Sequence, residues 1–141
     1  GSLYQGGISV PLVVSGKGVS RKGTRDQNLI NSSDLFTTVA QIAGIDVNEY
    51  ENSKSFFPLL TQETTNNRNY NYSEVLNDVP IKSGYTIRDN TYKLFVLDNG
   101  DERFYNLIED PYEQNNIINN LSAYEESVYN NLKTEVSIIR E

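Results

Sequence analysis

The feature that most constrains the fold stands at the start of the chain, where two glycines precede an apolar run. Gly6 and Gly7 can adopt backbone conformations closed to other residues, which indicates a tight bend or a close approach to another segment. Residues 8–14, Ile-Ser-Val-Pro-Leu-Val-Val, are apolar and β-branched, which predicts a strand buried on both faces. Such a strand usually lies inside a larger sheet, yet it begins almost at residue 1. We therefore expect that upstream sequence has been cut away.

The composition narrows the possible classes of function. The 141 residues suffice for one domain with a real core, or for one small domain and a remnant of another. The net charge of −7 argues against non-specific binding to nucleic acid or to anionic membranes, because both need a basic face. No apolar run is long enough to span a membrane, and no signal peptide is visible.

Four residue types are missing from the chain, and three of these absences constrain its interpretation. Without cysteine there is no disulfide, no thiolate metal ligand and no cysteine nucleophile. Histidine, the commonest general base and transition-metal ligand, is absent as well. Because methionine is also absent, the chain has no initiator of its own. We expect it to be a processed product, an engineered product or a fragment.

A helix is predicted from residue 34 to residue 43, with its apolar side packed on a sheet. Polar residues before it offer N-caps, and Gly44 stands where a left-handed C-cap belongs. Asp34 could in principle ligate a metal, but a carboxylate at this position is more often a cap. The apolar positions at helical spacing are Leu35, Phe36, Val39 and Ile42.

Beyond residue 60 the pattern changes to short strands, and a long helix follows them. Asn99-Gly100 is a hairpin signal, and Ser122 with Glu125 has the spacing of a capping box. The predicted unit is α+β, a small antiparallel sheet of three or four strands packed against a long C-terminal helix. The strand segments are residues 70–76, 85–88, 92–97 and 103–107.

In this order, the pieces resemble the C-terminal part of the sulfatase family, within the alkaline-phosphatase-like superfamily. Departures from the family pattern are Gln5 for Glu, Thr37 for Pro and Asn106 for Asp. The matching segments are residues 4–11 (Tyr-Glu-Gly-Gly-Ile-Arg-Val-Pro in the family), 34–44 (Asp-Leu-x-Pro-Thr, ending in Ala-Gly), 88–94 (Arg-x-x-x-x-Lys-Leu), 104–107 (Leu-Tyr-Asp-Leu) and 110–116 (Asp-Pro-x-Glu-x-x-Asn).

The resemblance implies two domains. Residues 1–60 would be the C-terminal remnant of a large α/β catalytic domain, contributing one strand and one helix. Residues 61–141 would be the small C-terminal α+β subdomain, and the polar stretch 61–69 would mark the boundary.

The resemblance also implies hydrolysis of aryl or carbohydrate sulfate esters by the complete enzyme. The family uses a formylglycine made from a Cys/Ser-x-Pro-x-Arg motif, and a calcium ion held by Asp and Asn. None of the four prolines here is followed two residues later by Arg. By this resemblance the family's last active-site lysine comes just before the residue that matches Gly1. We therefore expect no catalytic residue and no metal ligand in this chain, and no activity from it alone.

Two residues are candidates for binding substrate on the strength of the resemblance. Gln5 lies in the loop that follows the family's lysine, and Arg88 lies at a strand end. Arg88 offers a planar donor fork suited to sulfate or carboxylate. The alternative for Arg88 is a surface ion pair with Asp89 or Glu102.

Other functions stay open at this point. The chain could be a non-catalytic carbohydrate-binding or interaction module, since its ten tyrosines could stack on sugars, or part of a related phosphodiesterase or phosphonate hydrolase. A catalyst built on Asp98, Asp101 and Glu102 is disfavoured, because charges beside a hairpin turn normally face water. The expected partners are the upstream part of the same sulfatase or a second copy, and a sulfated small molecule or glycan for the complete enzyme. The resemblance favours a periplasmic or extracellular location.

Overall fold

The computed structural model describes residues 2–45, 47, 52–64, 68–76 and 83–141. They form two compact units: residues up to Val10 with Tyr72–Glu141, here the sheet unit, and Pro11–Asn71, here the α2 unit. No described helix has the length and apolar character needed to cross a bilayer. The elements are α1 (Gln5–Ile8), α2 (Asp34–Ile42), a 3-10 helix (Phe57–Leu60), β1 (Asn71–Val75), β2 (Gly84–Arg88), β3 (Tyr92–Leu97), β4 (Glu102–Asn106) and α3 (Ala123–Ile139).

The four strands form one sheet in the order β1-β2-β3-β4, which confirms the predicted meander. β2 and β4 both pair antiparallel with β3, and the register places Lys93 opposite Arg88 on one side and Tyr105 on the other. Since directly paired residues share a face of a pleated sheet, these three side chains stand on the same face. We call this the segment face, because residues 3 and 4 cover it, and the opposite one the helix face.

The helix face is covered by α3, as the sequence predicts. The capping box is present: the Ser122 hydroxyl accepts from the Glu125 backbone N–H, and the Glu125 carboxylate accepts from the Ser122 backbone N–H. Leu132 is fully buried and Val136 nearly so, and α3 packs on β2 and β3. The α+β fold predicted for this part of the chain is therefore confirmed.

The segment face is closed by the first residues of the chain. Leu3 is buried, and the Tyr4 ring lies 5.0 Å from the Phe95 ring. Gly7 is required here, because a Cβ on it would come within 2.5 Å of the Ser2 carbonyl oxygen. The core of this face consists of Leu3, Phe95, Leu97, Tyr105 and Leu107.

The predicted buried strand at residues 8–14 is not formed. The Gly7 and Ile8 N–H groups donate instead to the Tyr4 carbonyl, which makes the short helix α1. No strand pairs with residues 9–14 in the described part of the chain, and Val10 and Val13 are exposed. An extended apolar segment needs ladder partners for its backbone groups, and these residues have none there.

The helix predicted at 34–43 is confirmed as α2, but its expected packing is wrong. Gly44 adopts a φ of +76° beyond its C-terminus, as the predicted C-cap requires. The apolar side is exposed, and the buried side is polar, formed by Asp34, Thr37 and Thr38. No sheet covers the apolar side among the described residues, and the exposed apolar residues are Leu35, Phe36, Val39 and Ile42.

Asp34 is the first helical residue rather than the cap, which corrects its predicted role. Its carboxylate receives two guanidinium hydrogen bonds from Arg68, and it also accepts from the backbone N–H groups of Asn31 and Lys54, each at 2.8 Å. The Thr38 hydroxyl donates to the Asp34 carbonyl at 2.6 Å. This buried polar network, rather than an apolar interface, links α2 to the loops of its unit.

Candidate functional site

Both predicted substrate-binding residues lie in the surroundings of one buried carboxylate, that of Glu113. The Gln5 backbone N–H donates to Glu113 Oε2, across 108 positions of sequence. The charge of Glu113 also acts on Arg88, where it favours the protonated guanidinium. The structure therefore brings the Gln5 backbone and the Arg88 side chain to the same part of the segment face.

Lys93 is the principal partner of Glu113. Its ammonium donates to Glu113 Oε1 and, at 2.6 Å, to the Leu3 carbonyl oxygen. The two charged side chains are 0% and 1% exposed. Burial lowers the pKa of Lys93, while its hydrogen bond to Glu113 and the charge of that carboxylate oppose the shift. The buried pair thus binds the backbone of the first residues on both sides of Tyr4.

A tight turn presents Glu113 to the sheet. Glu113 has a φ of +55°, a left-handed conformation that only the surrounding contacts can hold in a residue with a side chain. Asp110 fixes the turn, since its carboxylate accepts from the Asn115 N–H at 2.7 Å and its carbonyl from the Glu113 N–H at 3.2 Å. Asn116 joins the turn to β4 by accepting from the Phe104 N–H at 2.9 Å.

Arg88 is half-buried at the end of β2. Its Nε donates to the Asp89 carbonyl at 2.8 Å and its Nη2 to the Asn90 carbonyl at 3.3 Å. Burial lowers the pKa of Arg88, opposed by the charges of Asp89 and Glu113. No salt bridge to Asp89 or Glu102 is present, so the predicted alternative of a surface ion pair is not formed. Nη1 has no hydrogen-bond partner in the described part of the chain and remains available as a donor.

A second polar contact fixes Tyr4 on the same face. Arg103 donates to the Tyr4 hydroxyl through Nη1 and to the Asp101 carboxylate through Nε, the latter at 3.0 Å. Burial, and secondarily the neighbouring Tyr4, raises the pKa of Tyr105 to about 12. These contacts add to the apolar cover of the core and fix the first residues more tightly than ring packing alone.

Sequence reasoning missed Lys93, Glu113 and Arg103 as members of this site. Lys93 and Glu113 belong to the Arg-x-x-x-x-Lys-Leu and Asp-Pro-x-Glu segments that carry the resemblance, and that was the signal that could have singled them out. Arg103 carries no comparable signal, because its contact with Tyr4 spans 99 positions of sequence.

The disfavoured carboxylate cluster does not form one site. Asp101 pairs with Arg103, whereas Glu102 pairs with Lys133 on the helix face and accepts from the Tyr129 hydroxyl. Among the described residues no three acidic side chains stand close enough together to hold a metal ion.

All of these site residues lie within the part of the chain that matches a known protein family. The family model for the C-terminal region of N-sulphoglucosamine sulphohydrolase matches residues 2–141. The chain belongs to this sulfatase family. The resemblance inferred from the motifs is thus confirmed over almost the whole chain.

Individual proteins agree with the family match. Arylsulfatase K of Xenopus laevis is 27% identical over 127 residues, covering 82% of this chain and 24% of that protein. A 2-O GAG sulfatase of known structure has a TM-score of 0.72 at 21% identity, covering 89% of this chain and 28% of its own.

A third relative was solved in complex with its substrate, D-glucosamine-2-N,6-O-disulfate. It has a TM-score of 0.62 at 24% identity, and the match covers 74% of this chain and 22% of that one. The present chain therefore spans about a quarter of the length of the relatives that it matches. At this identity, the two structural matches show a shared fold.

Proposed function

We propose that this chain is the C-terminal portion of a sulfatase that hydrolyses sulfate esters of a sugar, and that Gln5 and Arg88 contact the substrate. The family match over residues 2–141 carries this proposal. Similarity to a 2-O GAG sulfatase, and to a protein solved with a sulfated glucosamine, favours a carbohydrate sulfate as the substrate.

The proposal divides the chemistry between this chain and the rest of the enzyme. In the complete enzyme, calcium and formylglycine would supply the charge neutralisation and the nucleophile for sulfate-ester cleavage. This chain would bind and orient the sugar. A guanidinium binds a sulfate or carboxylate through parallel N–H donors, and Arg88 retains Nη1 for that purpose. Its partial burial strengthens such a contact, because less water screens it.

Activity measurements on the chain and on the complete enzyme test the division. With 4-nitrophenyl sulfate, we expect hydrolysis by the complete enzyme and none by the 141-residue chain. Activity of the chain alone would overturn the proposal. If the chain alone instead bound a sulfated disaccharide tightly, the alternative of a carbohydrate-binding module would be favoured.

Substitution of Arg88 tests its part in binding. In the complete enzyme, Arg88→Ala should raise KM for a 6-O-sulfated glucosamine more than it lowers kcat, because the lost contact exists before the transition state. Arg140→Ala is the matched control, since Arg140 forms an exposed ion pair with Glu74 and packs on Tyr85. An unchanged KM for Arg88→Ala, or an equal rise in the control, would count against a substrate contact.

The proposal also includes the partner of the exposed apolar residues in the α2 unit. We propose that the remainder of the same polypeptide covers them, because the matched relatives are about four times as long as this chain. A second copy is the alternative. Rapid exchange of the amides of residues 8–14 in the complete enzyme would contradict both, and an isolated chain that stays monomeric would contradict the second copy. The exposed residues in question are Leu12, Val13, Leu35, Phe36, Val39 and Ile42.

A further inference from the structure

The Lys93–Glu113 pair has an unusual distribution of hydrogen bonds. Besides their bond to each other, each side chain makes one further hydrogen bond in the described ranges, and both go to the backbone of the first residues, from Lys93 to Leu3 O and from Gln5 N to Glu113. Apart from their bond to each other, neither makes a side-chain hydrogen bond to the sheet in the described ranges. The contacts therefore fix the first residues onto the sheet rather than joining strands.

Burying an ion pair is an inefficient way to stabilise a fold. The cost of removing two charges from water often equals or exceeds their attraction, so well-packed apolar residues in the same places can be as stable. Both of these side chains are almost completely excluded from solvent. What the apolar replacement could not provide is a donor for Leu3 O and an acceptor for Gln5 N.

Glu113 also interacts electrostatically with Arg88, the second residue proposed to contact the substrate. Lys93 stands directly opposite Arg88 in the sheet register, and the charge of Glu113 acts on both cations. The Glu113 carboxylate thus binds the Gln5 backbone and also neutralises the positive charge of Lys93, which stands beside Arg88.

We infer that Glu113 and Lys93 are positioning residues, which set the place of Gln5 relative to Arg88 and so set the affinity for substrate without touching it. This inference rests on the proposed function for its kinetic part. Its structural part concerns the 141-residue chain alone and can be measured separately.

The decisive variant replaces both charges together. Lys93→Met with Glu113→Leu removes the two hydrogen bonds to the first residues but leaves no uncompensated charge in the interior. The midpoint of urea unfolding should therefore fall only slightly, because the two charges leave together and only the Leu3 and Gln5 backbone groups lose a partner. The Gln5 amide should exchange about tenfold faster or more, because its acceptor is gone.

In the complete enzyme, the same double variant should raise KM for a 6-O-sulfated glucosamine about fivefold or more, with kcat within about twofold. A purely structural role predicts unchanged KM wherever stability is unchanged. Restoring only an acceptor without a buried charge, with Lys93→Met and Glu113→Gln, should recover part of the Gln5 amide protection.

The matched control is the ion pair on the opposite face of the sheet. Glu102→Gln with Lys133→Met removes a Lys–Glu pair of the same unit whose side-chain hydrogen bonds, in the described ranges, join only these two residues and Tyr129. It should change neither Gln5 exchange nor KM. If the Lys93–Glu113 double variant does not fold, Lys93→Leu with Glu113→Met replaces it with the same two readouts, since it too removes both charges and both hydrogen bonds to the first residues.

The outcomes separate the inference from the proposed function. Unchanged Gln5 exchange in the folded double variant would overturn the inference, whatever the kinetics. Faster exchange with unchanged KM would overturn its kinetic part, provided that Arg88→Ala raises KM. If Arg88→Ala also leaves KM unchanged, the proposed substrate contact is wrong, and the exchange result alone decides whether the pair positions the segment.

Discussion

The sheet unit and the α2 unit each contain an amphipathic helix, but the two helices bury opposite kinds of side. In the sheet unit, α3 buries its apolar residues Leu132 and Val136 against strands. In the α2 unit, α2 buries Asp34 and Thr38 and exposes apolar residues such as Val39. The helix α3 is held by apolar packing, and α2 by hydrogen bonds to a buried carboxylate.

The difference shows what an apolar periodicity does and does not establish. It predicts a helix, because the spacing of 3.6 residues places the apolar residues on one side. It does not establish that the same chain covers that side. In the α2 unit the apolar residues are exposed, while the buried polar side is joined to its surroundings, with Asp34 accepting from Arg68, Asn31 and Lys54.

The largest effect is expected from Asp34→Ala. This change leaves the Arg68 guanidinium, whose side chain is 9% exposed, without its carboxylate, and it also removes the acceptor of two backbone N–H groups. We expect the free energy of unfolding to fall by about 3–5 kcal/mol. Urea unfolding followed by far-UV circular dichroism measures this.

Asp26→Ala is its control within the same unit. Asp26 forms an ion pair with Arg21 nearer the surface, and its loss should cost no more than about 1 kcal/mol. Equal losses for the two variants would show that the buried network is not what holds α2.

A smaller effect should distinguish the two helices directly. Leu132→Ala opens a cavity in the fully buried interface of α3, and we expect a loss of about 2–4 kcal/mol in unfolding free energy. Val39 lies on the exposed side of α2 and is itself 61% exposed, so Val39→Ala should change the unfolding free energy by about 0.5 kcal/mol or less. A large loss for Val39→Ala in the isolated chain would mean that a second copy already covers that side.

Local patterns predicted much of the fold. The capping box of α3, the helix α2 with Gly44 beyond its end and the strand meander all depend on residues a few positions apart. The strand at 8–14 could not be judged in this way, because a strand depends on partners elsewhere in the chain or beyond it. The exposed side of α2 was missed for the same reason.

The candidate site was predictable only in part. Gln5 and Arg88 came from the family resemblance, and the structure brings both near Glu113. The residues that hold the first segment there are distant from it in sequence: Lys93 bonds to Leu3 across 90 positions. A buried ion pair has no periodic signature, and Lys93 stands in a strand pattern that favours an apolar residue.

The smallest expected effect concerns the pH dependence of the ion pair on the helix face. Burial raises the pKa of Glu102, but hydrogen bonds from Tyr129 and Lys133 outweigh it and hold the pKa below its ordinary value. The stabilisation is therefore complete well above the ordinary value of 4.5 and is lost as the pH falls below it through the folded one. Because the pair is partly exposed, Glu102→Gln should cost only about 0.5 kcal/mol at neutral pH. Unfolding free energies of the two proteins should converge on acidification, and a difference that stays constant to pH 3 would mean that the charge of Glu102 contributes nothing.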